Sequence, residues 1–223
     1  MKSNLNYLPV ALATGAMVLL SAPSAYAVLI LTLDDPSTVG VDVTVADGNA
    51  DGIVVFNGSF GVWTLSVTTG LSKPLVGSDL HPIMDLNTIS VSSGAGTLLL
   101  SLTDSFATAA AGDVISDIGG TIWSGGGSLA AAVSTNPGGP TGAAHNFVLP
   151  GAFSGTSTGS APAAPYDLNL SAELVHVGAG HSSFDWDVTV RDVSVPDGGA
   201  SSILLLGLSL LGLGGVRRKL LKA

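Results

Sequence analysis

The sequence predicts an all-β domain over residues 28–194, an antiparallel β-sandwich of jelly-roll or immunoglobulin-like type. Three observations predict it. Short apolar runs recur every ~8–12 residues between turn signals, which is the rhythm of sandwich strands. Several of those runs alternate apolar and polar residues strictly, so that one face meets a core and the other meets water. No stretch of about 11 residues carries the apolar stripe of an amphipathic helix.

Residues 28–33 (VLILTL) form a first strand, ended by Asp34-Asp35-Pro36 because proline cannot pair. Residues 41–45 alternate, with Val41, Val43 and Val45 on one face. Residues 47–52 (DGNADG) read as a turn, 53–56 as a strand, and Asn57-Gly58 as the turn of a tight hairpin. Residues 62–68 alternate again, with Trp63, Leu65 and Val67 facing one way, and 69–80 form a loop containing Lys73-Pro74. Residues 85–91 and 96–103 read as a hairpin pair. The pattern then weakens. Residues 106–112 are Ala-rich and fit a short helix or a loop, and 113–133 divide into two strands around two glycine clusters. Residues 136–142 (NPGGPTG) form a loop, 144–149 and 153–158 a further pair, and 160–165 another loop. The last two strands are the plainest. Residues 166–177 run to the turn Gly178-Ala179-Gly180, and 183–193 follow. In that final strand Phe184, Trp186, Val188 and Val190 take one face and Asp185, Asp187, Thr189 and Arg191 the other.

The flanks carry addresses. Lys2 and an apolar stretch over 8–20 lead to Ala25-Tyr26-Ala27, an A-x-A cleavage site, so residues 1–27 read as a signal peptide for signal peptidase. At the other end, residues 203–216 hold nine Ile, Leu and Val side chains and no charge. Together these favour a bilayer by about 3–5 kcal/mol. The uncharged run from Gly198 to Val216 is 19 residues, close to the ~20 that span a membrane. A transmembrane helix is therefore expected over about 200–216. Arg217, Arg218 and Lys219 follow at once, with Lys222, and hold the C-terminus on the cytoplasmic side. Before the run stand Val195, Pro196, Asp197, Gly198 and Gly199, an extended, turn-prone segment accessible at the membrane surface.

This three-part arrangement over 195–223 resembles the PEP-CTERM sorting signal in its VPDSG-type variant, with Gly198 where serine is usual. The resemblance implies recognition by an exosortase, a membrane peptidase, and removal of the helix near the motif. Pro196 and Asp197 are then substrate residues. Three pieces of the middle, TTGLSKPL, DLNTISVSSGAGTL and GAGHSSFDWDV, resemble domains found upstream of such signals.

Charge bounds the partners. All 16 acidic residues lie between Asp34 and Asp197, with only Lys73 and Arg191 as basic residues in that span, a net −14. Such a surface repels nucleic acid and anionic membranes and suits an exported domain. The chain has no cysteine, so neither disulfides nor thiolate zinc sites enter.

Candidate chemistry is thin. Asp47, Asn49 and Asp51 with Gly52 match the start of a calcium loop, but the twelfth position is Gly58 and lacks the carboxylate. An Asp/Asn/Gly-rich turn is the plainer expectation. His176 and His181 flank a turn near Asp185 and Asp187, where two solvated histidines are expected rather than a metal pair. Trp63, Trp123 and Trp186 are expected in the core rather than on a sugar-binding face. The only glutamate is Glu173, which excludes a paired-Glu glycosidase, and no nucleophile motif appears. The expectation is a non-catalytic exported protein of the cell surface or extracellular matrix, tethered by its C-terminal helix, in a system linked to exopolysaccharide. The alternative is a secreted glycan- or calcium-binding module. No cofactor is expected, and calcium enters only through that alternative.

Overall fold

The computed structural model describes residues 28–192. The cleavage site at Ala25 and Ala27, the motif from Val195 to Gly199, the expected span over about 200–216 and the basic cluster Arg217, Arg218 and Lys219 lie outside the described residues. Among those described, no helix is long and apolar enough to cross a membrane.

The domain is all antiparallel β. Its strands are β1 (Ile30–Asp34), β2 (Val43–Ala46), β3 (Ile53–Phe60), β4 (Trp63–Leu71), β5 (Ile83–Ser92), β6 (Gly96–Phe106), β7 (Gly112–Asn136), β8 (Gly139–Ala161), β9 (Tyr166–His176) and β10 (Gly180–Asp192). They pair in the order β2-β1-β6-β9-β7-β10-β5-β4-β3, with β8 alongside β7.

β7 is the hinge of this path. Its first half pairs with β10, from Gly112 opposite Asp192 to Ile122 opposite Ser182. Its second half pairs with β9, from Gly127 opposite His176 to Asn136 opposite Asp167. β8 follows β7 through both halves, with a break in register between Ile122 and Gly127. The strand thus climbs one sheet and descends the other. Glycine is required at the crossing. Gly127 has φ +147°, and a Cβ there would lie 1.8 Å from the Val175 carbonyl oxygen. The result is two sheets packed face to face. One holds β2, β1, β6, β9 and the second half of β7, and the other holds β3, β4, β5, β10 and the first half of β7.

Leucines of the first sheet, among them Leu31, Leu100, Leu102, Leu168 and Leu170, meet Trp63, Leu65, Met84, Leu86 and Trp186 of the second. The gap is tight enough that a Cβ on Gly70 would lie 2.4 Å from Leu102. The Trp63 indole N–H crosses it to donate to the Thr97 carbonyl at 3.1 Å. The inner face of the second sheet turns polar toward one end. Its hydroxyls are satisfied in pairs, Thr68 with Thr88 at 2.9 Å and Ser90 with Ser182 at 2.8 Å.

Several expected boundaries differ. Residues 113–133 form one strand, not two, because cross-strand partners on both sides carry the chain through Gly119 and Gly120. Residues 144–149 and 153–158 do not pair with each other, since both belong to β8 and pair with β7. The expected loop at 136–142 contracts to a connection at 137–138. Asn57-Gly58 closes no hairpin. It lies inside β3 at a register shift, and the chain turns at Gly61 and Val62 instead. A second shift between Leu65 and Val67 moves the buried parity of β4 to Thr68. Residues 107–111 form no helix.

Both chain ends of the described domain emerge at the same end of the sandwich. β1 begins opposite the end of β6, with Ile30 facing Thr103. β10 finishes beside the start of β7, with Asp192 facing Gly112.

Candidate functional site

Three arrangements of polar residues stand out, the first set by strand register. The first is on the outer face of the second sheet. Asp187 of β10 lies directly opposite Asp85 of β5 and Asp117 of β7. Asp185 sits two residues along, opposite Asn87. The ligand oxygens of Asp85, Asp185 and Asp187 all fall within 4.8 Å of one another. Like charges so close disfavour full ionisation. Partial burial, then the charges of Asp185 and Asp187, push Asp85 up to about 7. Burial and Asp185 raise Asp187 as well. As pH falls toward 7 the cluster therefore takes up a proton that isolated carboxylates would not yet hold. Asp185 and Asp187 were legible as outward residues of the last strand. Asp85 and Asp117 were missed, because only register brings them alongside.

Farther along the same face, Trp123 stacks on His181 with ring centroids 4.7 Å apart. Trp123 is 55% exposed, which corrects its expected core position. It alternates with the buried Ile122 and so shares the outward parity of Asp117, on the face that no sheet covers. Trp63 and Trp186 are core residues as expected.

The second arrangement is inside, with His176 at the end of the sandwich away from the chain termini and His145 midway along it. His176 is 1% exposed, not a solvated turn residue. It packs against Trp63 with centroids 4.9 Å apart, and its Nδ1 lies 2.7 Å from Ser92 Oγ. Burial and the neighbouring His181 hold it below the ordinary histidine value. His145 is likewise buried. Its Nε2 lies 2.9 Å from Ser116 Oγ and 3.0 Å from Ser157 Oγ, and burial lowers its pKa. The Trp186 indole N–H donates to the same Ser116 at 2.7 Å.

The third arrangement lies at the opposite end, beside the chain termini. Lys73 reaches Asp104 at 3.1 Å and Asp79 at 3.5 Å. Its ammonium also donates to the Ser105 carbonyl and sits 4.4 Å from the centre of the Phe106 ring. Asp104 is 1% exposed and additionally accepts from Ser72 Oγ at 2.6 Å. Lys73 and its neighbours line a pocket of about 620 Å³, whose wall includes Pro74, Pro137, Pro165 and Tyr166. Tyr166 is buried there, which pushes its hydroxyl up to about 12.

Asp47, Asn49 and Asp51 form a loop closed on itself. The Asp47 carboxylate accepts the Gly52 N–H at 2.8 Å and the Asp51 N–H at 3.3 Å, and Asn49 donates to Asp51 at 2.8 Å. The Asx turn itself is at Asp51, whose carboxylate accepts the Ile53 N–H at 3.0 Å. The carboxylates that converge are on the sheet face instead.

Residues 194–220 match the VPDSG-CTERM motif. No curated protein matches the chain. Among solved structures, TmCBM61 in complex with β-1,4-galactotriose is similar at 10% identity and a TM-score of 0.37, over 60% of this chain and 92% of that one. The C-terminal CBM6 of LamC, a marine laminarinase from Zobellia galactanivorans, is similar at 11% identity and a TM-score of 0.26, over 73% and 99%. A chain of the infectious bursal disease virus Gx strain is similar at 12% identity and a TM-score of 0.29, over 77% and 59%. These likenesses are too loose to carry function across.

Proposed function

We propose that this is an exported, non-catalytic protein of a bacterial cell surface or extracellular matrix, delivered by a signal peptide and processed by an exosortase. The observation that carries the reading is the VPDSG-CTERM motif at 194–220, which begins two residues beyond the end of β10 at Asp192. A folded sandwich followed at once by the Val195–Gly199 motif, an apolar run and a basic stop suits a passenger that is exported, held at the membrane and then released. The acidic, cysteine-free composition suits an exported domain kept in solution by its charge. The hydroxyl–imidazole pairs Ser92–His176 and Ser116–His145 support a non-catalytic role, because they lie in the interior where no substrate reaches them.

The test is fractionation of the host with the exosortase present and deleted. Released chain with the enzyme, and membrane-retained chain without it, is the expected result. An identical distribution in both strains contradicts it.

A second reading, a glycan- or calcium-binding module, is favoured by the pocket beside Lys73. Its calcium form loses the support of Asp47, whose carboxylate is occupied by backbone N–H groups.

A further inference from the structure

The pocket at the terminal end of the sandwich has a composition that selects its ligand. It encloses about 620 Å³, within the ~300–1,000 Å³ of sites that hold small ligands. Connections from both sheets build it. Lys73 and Asp79 come from the segment between β4 and β5, Asn136 and Pro137 from the β7–β8 turn, and Pro165 from the approach to β9.

Its one cation is committed. Lys73 is held by Asp104, Asp79, the Ser105 carbonyl and the Phe106 ring. An anionic ligand would have to break that set and approach the carboxylates of Asp79 and Asp167. The remaining polar groups are the carboxylates of Asp47, Asp79 and Asp167, the Asn136 amide and the hydroxyls of Ser78 and Ser105. Asp47 is taken by backbone N–H groups and one Asp167 oxygen accepts from Ser105, which leaves the second Asp167 oxygen and the Asn136 carbonyl as acceptors. Tyr166, which lines the pocket, keeps a buried hydroxyl with no partner among the described residues. The apolar part of the wall is stiff, with Pro74, Pro137 and Pro165 exposed along it. A fitting ligand therefore supplies several O–H donors, carries no negative charge and presents C–H faces.

We propose that this pocket binds a short segment of a neutral glycan, with Asp167 and Asn136 accepting its hydroxyls and the prolines packing against its ring faces. The proposal rests on the second reading above, that the exported domain is a binding module. It assigns that reading a place and a charge class. The outer face with Trp123 and the acidic cluster is the competing location.

The test uses the full chain, purified in a detergent without a sugar headgroup. Neutral tri- and tetrasaccharides are titrated by calorimetry beside counterparts bearing carboxylate or sulfate groups. The expected result is binding of at least one neutral oligosaccharide, with its charged counterpart at least tenfold weaker. Asn136→Ala and Asp167→Ala should each weaken binding about tenfold, while Trp123→Ala leaves it unchanged. Thermal melts of the variants separate lost contact from lost fold. Binding that survives both pocket variants, disappears in Trp123→Ala or prefers the charged sugar overturns the proposal. So does the absence of heat from every neutral sugar at 10 mM. Sorting is read by fractionation and not by heat, so failure here leaves the exosortase reading standing, and the reverse also holds.

Discussion

The two ends of the sandwich bury polar groups in opposite ways. At the end where the chain enters and leaves, the device is charge: a lysine that touches two carboxylates, a carbonyl and an aromatic face. At the far end the device is neutral: His176 between Trp63 and Ser92, with paired serines beside it. A buried ion pair is costly to break from one side, because the orphaned partner stays charged in a poor solvent. A neutral pair is cheaper to break, but it fails when one member gains a proton. The ends should therefore answer differently to mutation and to pH.

The largest effect is expected at the charged end. Lys73→Met leaves Asp104 buried without its cation and should cost about 3–5 kcal/mol in urea unfolding. Adding Asp104→Leu should recover much of that loss. If Lys73→Met costs less than 1 kcal/mol, the pair is not what holds this end.

Ser92→Ala, at the neutral end, should cost about 1–3 kcal/mol, since it removes the Nδ1 partner of an imidazole whose Nε2 already has none. Stability unchanged within error would mean that the His176–Ser92 contact contributes nothing.

pH sharpens the contrast. His176 and His145 are held below their ordinary values, so the unfolded chain takes up protons first as pH falls. Their contribution is full above about pH 6.5 and declines below it. Asp85 acts oppositely. With its carboxyl pushed up to about 7, the folded state holds the extra proton, so this group adds stability as pH falls from about 7 toward 4. Removing Asp85 should expose the histidine loss as a steeper decline between pH 6.5 and 5. An unaltered profile in Asp85→Asn would show that the carboxylate cluster does not titrate as its geometry implies.

The smallest effect is that same substitution at pH 7.5. Asp85→Asn relieves the charge opposite Asp187 and should stabilise by roughly 0.2–1 kcal/mol, with no gain near pH 4. Equal gains at both pH values would trace the effect to something other than charge.

Legibility in the sequence followed the periodicity. β10 was readable because Phe184, Trp186, Val188 and Val190 alternate with polar residues, and the burial follows that alternation. β7 and β8 were not, because glycine runs remove the apolar signal and their continuity comes from partners as distant as β9 and β10. In β5 the buried residues run Met84, Leu86, Thr88, Ser90, while Ile89 and Val91 are exposed at 44% and 42%. There hydropathy points the wrong way, and the parity established by Leu86 prevails because the inner hydroxyls find partners. The carboxylate cluster joins Asp85 to residues a hundred positions away, and the Lys73–Asp104 pair spans 31. Such contacts have no local signature. The sorting motif, by contrast, is contiguous, and a contiguous pattern needs no fold to be read.

The most direct test of the account is the intact mass of the native protein recovered from its host. A species that begins at Val28, ends between residues 195 and 199 and is found outside the membrane is the predicted result. A species that retains the C-terminal run through Arg217, Arg218 and Lys219 in the membrane, with the exosortase present and active, would contradict it.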